Sequence, residues 1–330
     1  MIDFRYHLVS IVAIFLALAV GIVMGTTLLQ DPAIRSAEEL TRQLTADKQE
    51  QRGQIDDLRS REQAGDAFVT TLTPKLVAGE LTGEEVLLVE APGAGAAQRE
   101  ATQEVLTDAG ATITGRLSLT EKFFDPKSGG VLDGLAGQLK PAEMTFPTPA
   151  TAYEKAATLL AATVTTTDPA VAGTPNAATA SVLGGLETGG FVNLDGDPAK
   201  RATLVVMFAP DVPYEGENAE TQAAAFVALA SGLDAGGRGL VVAGTVPATG
   251  PGGAVTAVRD STEVAKRVST VDSADIPAGR VVIVYALREQ LAGAAGQYGI
   301  GTGITAFQPV VPSPAPTTPQ PTPSSSDSGS

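Results

Sequence analysis

The sequence predicts an α/β protein with four parts. These are a single N-terminal transmembrane helix, a helical coiled-coil-like stalk, a mostly parallel sheet flanked by helices, and a disordered Pro/Ser/Thr tail. Three observations predict it. Leu8 to Leu29 (LVSIVAIFLALAVGIVMGTTLL) is 22 residues without a charge. From Ala33 to Leu72 the chain is mostly Glu, Gln, Arg, Lys, Asp and Leu. Farther on, Val86–Val89, Leu204–Phe208 and Val281–Val284 are solid apolar runs rather than alternating ones. Solid runs indicate strands buried on both faces, as in a parallel sheet covered by helices. The expected boundaries are residues 1–30 for the anchor, 31–74 for the stalk, 83–308 for the α/β domain and 309–330 for the tail.

The first run is long enough to span a bilayer. At about 1.5 Å per residue it covers roughly 33 Å, against about 30 Å of hydrocarbon. Its hydroxyl residues, Ser10, Thr26 and Thr27, can bond to the helix's own carbonyls. Phe4 and Tyr6 precede it, where interfacial aromatics sit, with Arg5 between them. The N-terminal flank carries the amino group, Arg5 and His7 against Asp3. The far flank opens with Asp31 and continues with Arg35, Glu38 and Glu39. The positive-inside bias places the N-terminus in the cytoplasm and the body outside. A cleaved signal peptide is the rival reading, but the apolar run exceeds the usual h-region and the n-region is barely basic. Leu8 and Leu29 bound the anchor. Gly21 and Gly25 form a G-x-x-x-G pair that lets two helices approach closely, although glycine is common in membrane helices anyway.

The stalk opens at Asp31-Pro32, an N-cap followed by Pro at the first helical position. Ser36 and Glu39 repeat the signal as a capping box. Ala37, Leu44, Leu58 and Leu72 share one heptad position, with Gln51 and Gly65 between them. Leu40 and Phe68 share its partner, interrupted by Asp47, Gln54 and Arg61. This is a weak coiled coil, and a solvated helical stalk is the alternative. Thr73-Pro74 closes it.

In the domain, Val86–Val89 is a strand ended by Glu90-Ala91-Pro92-Gly93. Gly95–Ala109 is a helix stopped by Gly110, and Ala111–Leu119 alternates as a second strand, completing a βαβ pattern. Helices follow at Thr151–Thr163, Ala177–Leu186 and Ala219–Leu233. Strands are expected at Thr203–Phe208, Gly239–Ala243 and Arg280–Tyr285. A short helix is expected over Asp260–Lys266, capped by Asp260, and a closing helix over Leu287–Ala295. From Pro309 the chain is Pro, Ser and Thr, a composition that does not fold.

Composition excludes several functions. The net charge of −15 argues against nucleic acid, whose phosphates need Lys and Arg. There is no cysteine, so disulfides, thiolate metal sites and Cys nucleophiles are out. The one histidine is His7 at the membrane edge, which leaves the soluble part without its commonest base and metal ligand. No enzyme activity, no catalytic residue and no cofactor is expected.

Gly93-Ala94-Gly95-Ala96-Ala97-Gln98 is the nearest approach to a dinucleotide loop, but it departs from the pattern at the third glycine and reads better as a tight βα turn. Asn193-Leu194-Asp195-Gly196-Asp197 resembles half a calcium loop, yet it lacks the distal Glu and reads as an ordinary turn. Met1, Met24, Met144 and Met207 are scattered and make no Met-rich copper motif. Gly296–Gly303 is a glycine-rich exit from the core or a contact loop.

The opening Met1-Ile2-Asp3-Phe4-Arg5-Tyr6-His7-Leu8-Val9-Ser10, the Gly21–Gly25 region, and the stretch from Val268-Ser269-Thr270-Val271-Asp272 through Pro277-Ala278-Gly279-Arg280 to Tyr298-Gly299 resemble the actinobacterial copper transporter family of the mycobacterial MctB type. The resemblance covers roughly residues 1–308. It implies a cell-envelope protein, assigned to the outer membrane, that keeps intracellular copper low and has a proposed channel activity. It alone implies copper as a partner. The residues themselves supply no conduction path. One helix per chain cannot enclose water, and this helix has no polar stripe. The strand candidates are shorter than the 9–11 alternating residues of a membrane barrel. The expected partners are therefore membrane lipid and further copies of the chain through anchor and stalk. A non-transporting envelope scaffold that presents an α/β recognition domain is the competing reading.

Overall fold

The computed structural model describes residues 3–310 except 177, with side chains described for residues 5–25 and 39–310. Of the tail expected at 309–330, the residues from 311 on lie outside them. The chain divides into two units, residues 1–65 and 66–330.

The first unit is helical throughout its described length. Helix α1 runs from Asp3 to Val77 without a break, so its last 12 residues (66–77) belong to the second unit. Residues 39–65 are all exposed. Pro74 does not close α1 as the sequence suggests. It sits in the last turn, where its missing N–H costs one intrahelical bond. The neighbouring turns are held partly by side chains, with the Thr71 and Thr73 hydroxyls donating to the Ala67 and Val69 carbonyls. Thr73, Val77 and Leu81 are buried in the second unit.

The second unit is a seven-stranded sheet. It is built from β1 (Glu85–Glu90), β2 (Thr112–Leu119), β3 (Val192–Gly196), β4 (Leu204–Phe208), β5 (Gly239–Ala243), β6 (Ser269–Val271) and β7 (Gln297–Tyr298). The order is β3-β2-β1-β4-β5-β6-β7. All pairings are parallel except β2 with β3 at one edge. The expected βαβ unit is β1, helix α2 (Ala96–Asp108) and β2. Its C-terminal stop is a Schellman turn. Gly110 N–H donates to Thr107 O, Ala111 N–H donates to Leu106 O, and Gly110 takes φ +89°.

The solid apolar strands are buried on both faces. Leu87, Val89, Val205, Met207, Leu240 and Val242 enter one core. Val86, Leu88, Leu204, Val206, Val241 and Ala243 enter the other. The first core is covered by α4 (Gly129–Leu139), α5 (Ala152–Val164), α6 (Thr179–Thr188), α7 (Ala219–Gly236) and α8 (Ala254–Asp260). The second is covered by α2 and α10 (Pro277–Leu291). The short helices α3 (Glu121–Phe124) and α9 (Thr262–Ala265) complete the set.

Two elements correct the sequence reading. Arg280–Tyr285 is not a strand but the middle of α10, which begins with Pro277 at its first turn and ends at Leu291, so the closing helix expected over Leu287–Ala295 is the end of α10 rather than a separate element. Val281, Val282, Ile283 and Val284 are all buried, because this helix is covered on nearly every side and has no need of a polar stripe. A short solid run does not distinguish a buried strand from a buried helix. The strand of this region is instead the three-residue β6, too short and too polar to stand out. Asp260 does not cap a helix. It ends α8, and Ser261 precedes α9.

Candidate functional site

Three places could carry function: the N-terminal span, a cleft at the carboxyl ends of the strands, and a buried charge cluster beneath the glycine-rich loop.

The span is Arg5–Gly25, 21 residues of mean hydropathy 2.8, and its apolar window holds no buried residue. Leu8 is 57% exposed, and Ile11, Phe15, Leu18 and Ile22 are exposed to a similar degree. Apolar surface on every side of a helix is stable in hydrocarbon, not in water. Leu29 lies within α1, but its side chain falls outside the described ones. Gly21 and Gly25 both sit in the helix, and a Cβ on either would meet nothing within 4 Å.

The strand order reverses direction between β1 and β4, where loops leave the sheet to opposite sides and a crevice opens. The crevice here holds about 600 Å³, within the usual range for small-ligand sites. Its walls are Pro92 and Gly93 after β1, Phe124 and Asp125 after β2, and Pro210 and Tyr214 after β4. The Phe124 and Tyr214 rings lie 6.3 Å apart. Burial pushes the Tyr214 phenol above its ordinary pKa. Lys122, also at the rim, is already engaged. Its Nζ donates to Gly189 O at 2.7 Å and lies 4.8 Å from the Phe191 ring centre. The cleft therefore offers carboxylates, amides and apolar walls but no free cation for a phosphate among the described residues.

The Gly93–Gln98 turn lies beside this cleft and behaves as a tight turn. Gly93 takes φ +85°. A Cβ on Gly95 would lie 2.9 Å from Asp211 Oδ2, so the backbone approaches a carboxylate where a dinucleotide loop would approach a pyrophosphate. Asn193–Gly196 is not a turn but part of the edge strand β3, and Asp195 is paired there with Arg116 at 2.5 Å. The described methionines Met24, Met144 and Met207 stand apart, on the span, beside the first core and within β4. Among the described residues no group of three or more His, Cys, Asp or Glu side chains comes together.

The third place was not legible as a site. Asp272 is fully buried and Arg259 nearly so, with side chains 0% and 4% exposed. Arg259 Nη1 donates to Asp272 Oδ2 at 2.9 Å, and its Nε donates to Thr270 Oγ1 at 2.8 Å. Its other nitrogen donates to Tyr298 O at 3.0 Å. The backbone N–H groups of Ile300 and Gly301 donate to the Asp272 carboxylate at 2.7 and 3.2 Å. Burial pulls the Arg259 guanidinium below its ordinary pKa, and the bond and charge of Asp272 pull it back. The glycine-rich loop is thus wrapped around one carboxylate. A Cβ on Gly299 would sit 1.9 Å from Asp272 Oδ1, and one on Gly279 would sit 1.7 Å from Ser273 O. Val268–Asp272, Pro277–Arg280 and Tyr298–Gly299, which carry the sequence resemblance, meet here. A second buried cluster joins Glu90 to Arg99, and Ser118 Oγ donates to Glu90 Oε2 at 2.7 Å. Neither cluster has a local spacing that a sequence pattern would reveal.

Comparison with known proteins agrees along the whole length. The family model described as "Copper transport outer membrane protein, MctB" matches residues 1–309. The protein named copper transporter MctB of Mycobacterium tuberculosis is 29% identical over 310 residues, covering 92% of this chain and 98% of that one. Its namesake in Mycobacterium leprae is 30% identical over 317 residues, covering 93% and 99%. The shared length takes in the bare span, the α/β sheet and the loop around Asp272, and on that ground the chain belongs to the MctB family.

Proposed function

We propose that this protein is a membrane-anchored cell-envelope component of copper homeostasis. In this reading the N-terminal span of α1 holds it in a membrane, the N-terminus is cytoplasmic, and the α/β body works outside. The family and the names of its relatives supply the link to copper. The observation that carries the reading is the exposed apolar span at Arg5–Gly25, the one such helix among the described residues. Copper is cargo here. The chain has no cysteine and one histidine, so it offers few of the soft or imidazole ligands that copper prefers. One apolar helix per chain cannot enclose water, so a conducting path would require several copies. This favours a role in efflux exerted through assembly or through a partner. The cleft at the β1–β4 switch point favours a second reading, an envelope scaffold that recognises a ligand without transport.

Intracellular copper in a deletion strain separates the two. Under the first reading copper rises on deletion, the intact gene restores it, and a version secreted without residues 1–30 does not. Unchanged copper with altered envelope integrity refutes the first reading and leaves the scaffold. Conductance of the purified full-length protein in a planar bilayer tests the channel activity directly.

A further inference from the structure

The segment from Glu39 to Gly65 is a helix whose every residue is exposed. Its large aliphatic residues are nonetheless not scattered. Leu40, Leu44, Ile55 and Leu58 are 57, 60, 46 and 64% exposed. At about 100° per residue, with Leu44 at zero, Leu40 and Leu58 fall at about −40° and Ile55 at about +20°. All four therefore share an arc of about 60°. Their spacing of 4, 11 and 3 residues closes 18 residues, or about five straight turns at 3.6 residues each. An 11-residue step suits a nearly straight or right-handed pairing rather than the left-handed supercoil of heptads. Gln51, at about −20°, interrupts the arc between Leu44 and Ile55, and Glu62, at about 0°, ends it.

The charges beside this seam differ between its two sides. Lys48, Arg59 and Arg52 follow at about 40°, 60° and 80°, and Arg59 also lies 3.8 Å from Asp56 of its own helix at about 120°. On the other side Asp47 lies at about −60° and Glu50 at about −120°, with Arg61 between them at about −100°. In two parallel helices related by a twofold axis along their length, the basic side of one faces the acidic side of the other. Residues 39–65 hold six carboxylates and five cations, so the segment is nearly neutral in a chain of net charge −15. A second copy is thus attracted along this segment, where the charge of the chain as a whole would repel it.

We infer that the Leu40–Leu44–Ile55–Leu58 stripe is the contact surface for a second copy of this chain, paired parallel and in register. The parallel direction rests on the proposed membrane anchoring, because copies entering from the same span start in the same place and point the same way. The stripe itself does not depend on that reading.

The chain has no cysteine, so an introduced thiol is unique. Full-length Leu44→Cys, Leu58→Cys and Asp56→Cys are expressed, and their membranes are treated with diamide. Asp56 lies about 120° from Leu44, off the stripe. Because a disulfide requires Cα atoms within about 7 Å, the first two should give a covalent dimer at least about tenfold more abundant than the third. No dimer at 44 and 58, or equal yields at all three positions, overturns the proposal. So does cross-linking between coexpressed Leu44→Cys and Leu58→Cys chains when neither links to itself, since that is an antiparallel pair. Carbonate washing of the same membranes tests anchoring separately, so loss of the anchor and loss of the pairing are told apart.

Discussion

Replacing Asp272 by Asn removes one charge from a buried pair and leaves the Arg259 guanidinium, 4% exposed, without its counter-ion. The amide keeps one acceptor oxygen, which at the Oδ1 position still accepts from Ile300 N–H and Gly301 N–H, while its NH₂ replaces Oδ2, the acceptor of Arg259 Nη1. Its NH₂ then faces a donor. Removing one partner from a buried ion pair costs about 3–5 kcal/mol, and a buried donor left without its acceptor costs about 1–3. The two overlap, so about 4 kcal/mol is expected. At about 2–4 °C per kcal/mol for a domain of this size, that is about 8–16 °C in Tm. Four of the five tyrosines lie in the α/β unit and one, Tyr6, in the span. Urea unfolding of the full chain in detergent, followed by tyrosine fluorescence, therefore reports mainly on that unit. Combining Arg259→Met with Asp272→Leu should recover about 1–2 kcal/mol over Asp272→Leu alone, because no unpaired charge remains. A loss below about 1 kcal/mol for Asp272→Asn, or a double variant no better than the single one, would refute the account of the loop as organised by this pair.

Gly299 has φ +123° and no room for a Cβ beside Asp272. Gly299→Ala should cost about 3 kcal/mol and expose the 299–303 loop to limited proteolysis. Asp234, paired with Arg267 at 3.0 Å, has its pKa pushed up to about 6 by burial, which the arginine partly offsets. The native state then holds this proton more tightly than the unfolded state, so the Asp234 contribution to stability is present below pH 4 and is lost as pH rises through 6. The stability of Asp234→Asn relative to the parent should climb across that window, by at most about 1.4 kcal/mol per pH unit, and be flat above it. A flat difference between pH 4 and 6 contradicts the shift. Leu16→Arg places a charge in the middle of the span at a cost of about 2.5–3.5 kcal/mol. It should move the protein from the carbonate-washed membrane pellet to the soluble fraction, and an unchanged pellet would argue against a single-span anchor.

Some features are fixed by composition and period alone. The span is legible because hydrocarbon accepts only an uncharged run of that length, wherever the rest of the chain goes. The strands β1, β4 and β5 and the helices α2, α5 and α7 are legible because their patterns and glycine stops act over a few residues. The −15 charge, the missing cysteines and His7 set limits on chemistry that folding does not lift. Tertiary structure decided the rest. Val281–Val284 became a helix because the core covers it on nearly every side, a surrounding that its own residues do not encode. Arg259 and Asp272 lie 13 residues apart and meet Ile300 a further 28 residues on. That carboxylate is satisfied only when three separate segments close on it. Glu90, read as the end of a strand, found Arg99 and Ser118 in the same way. Burial of charge is a property of the packed chain, since desolvation exists only after the neighbours have arrived.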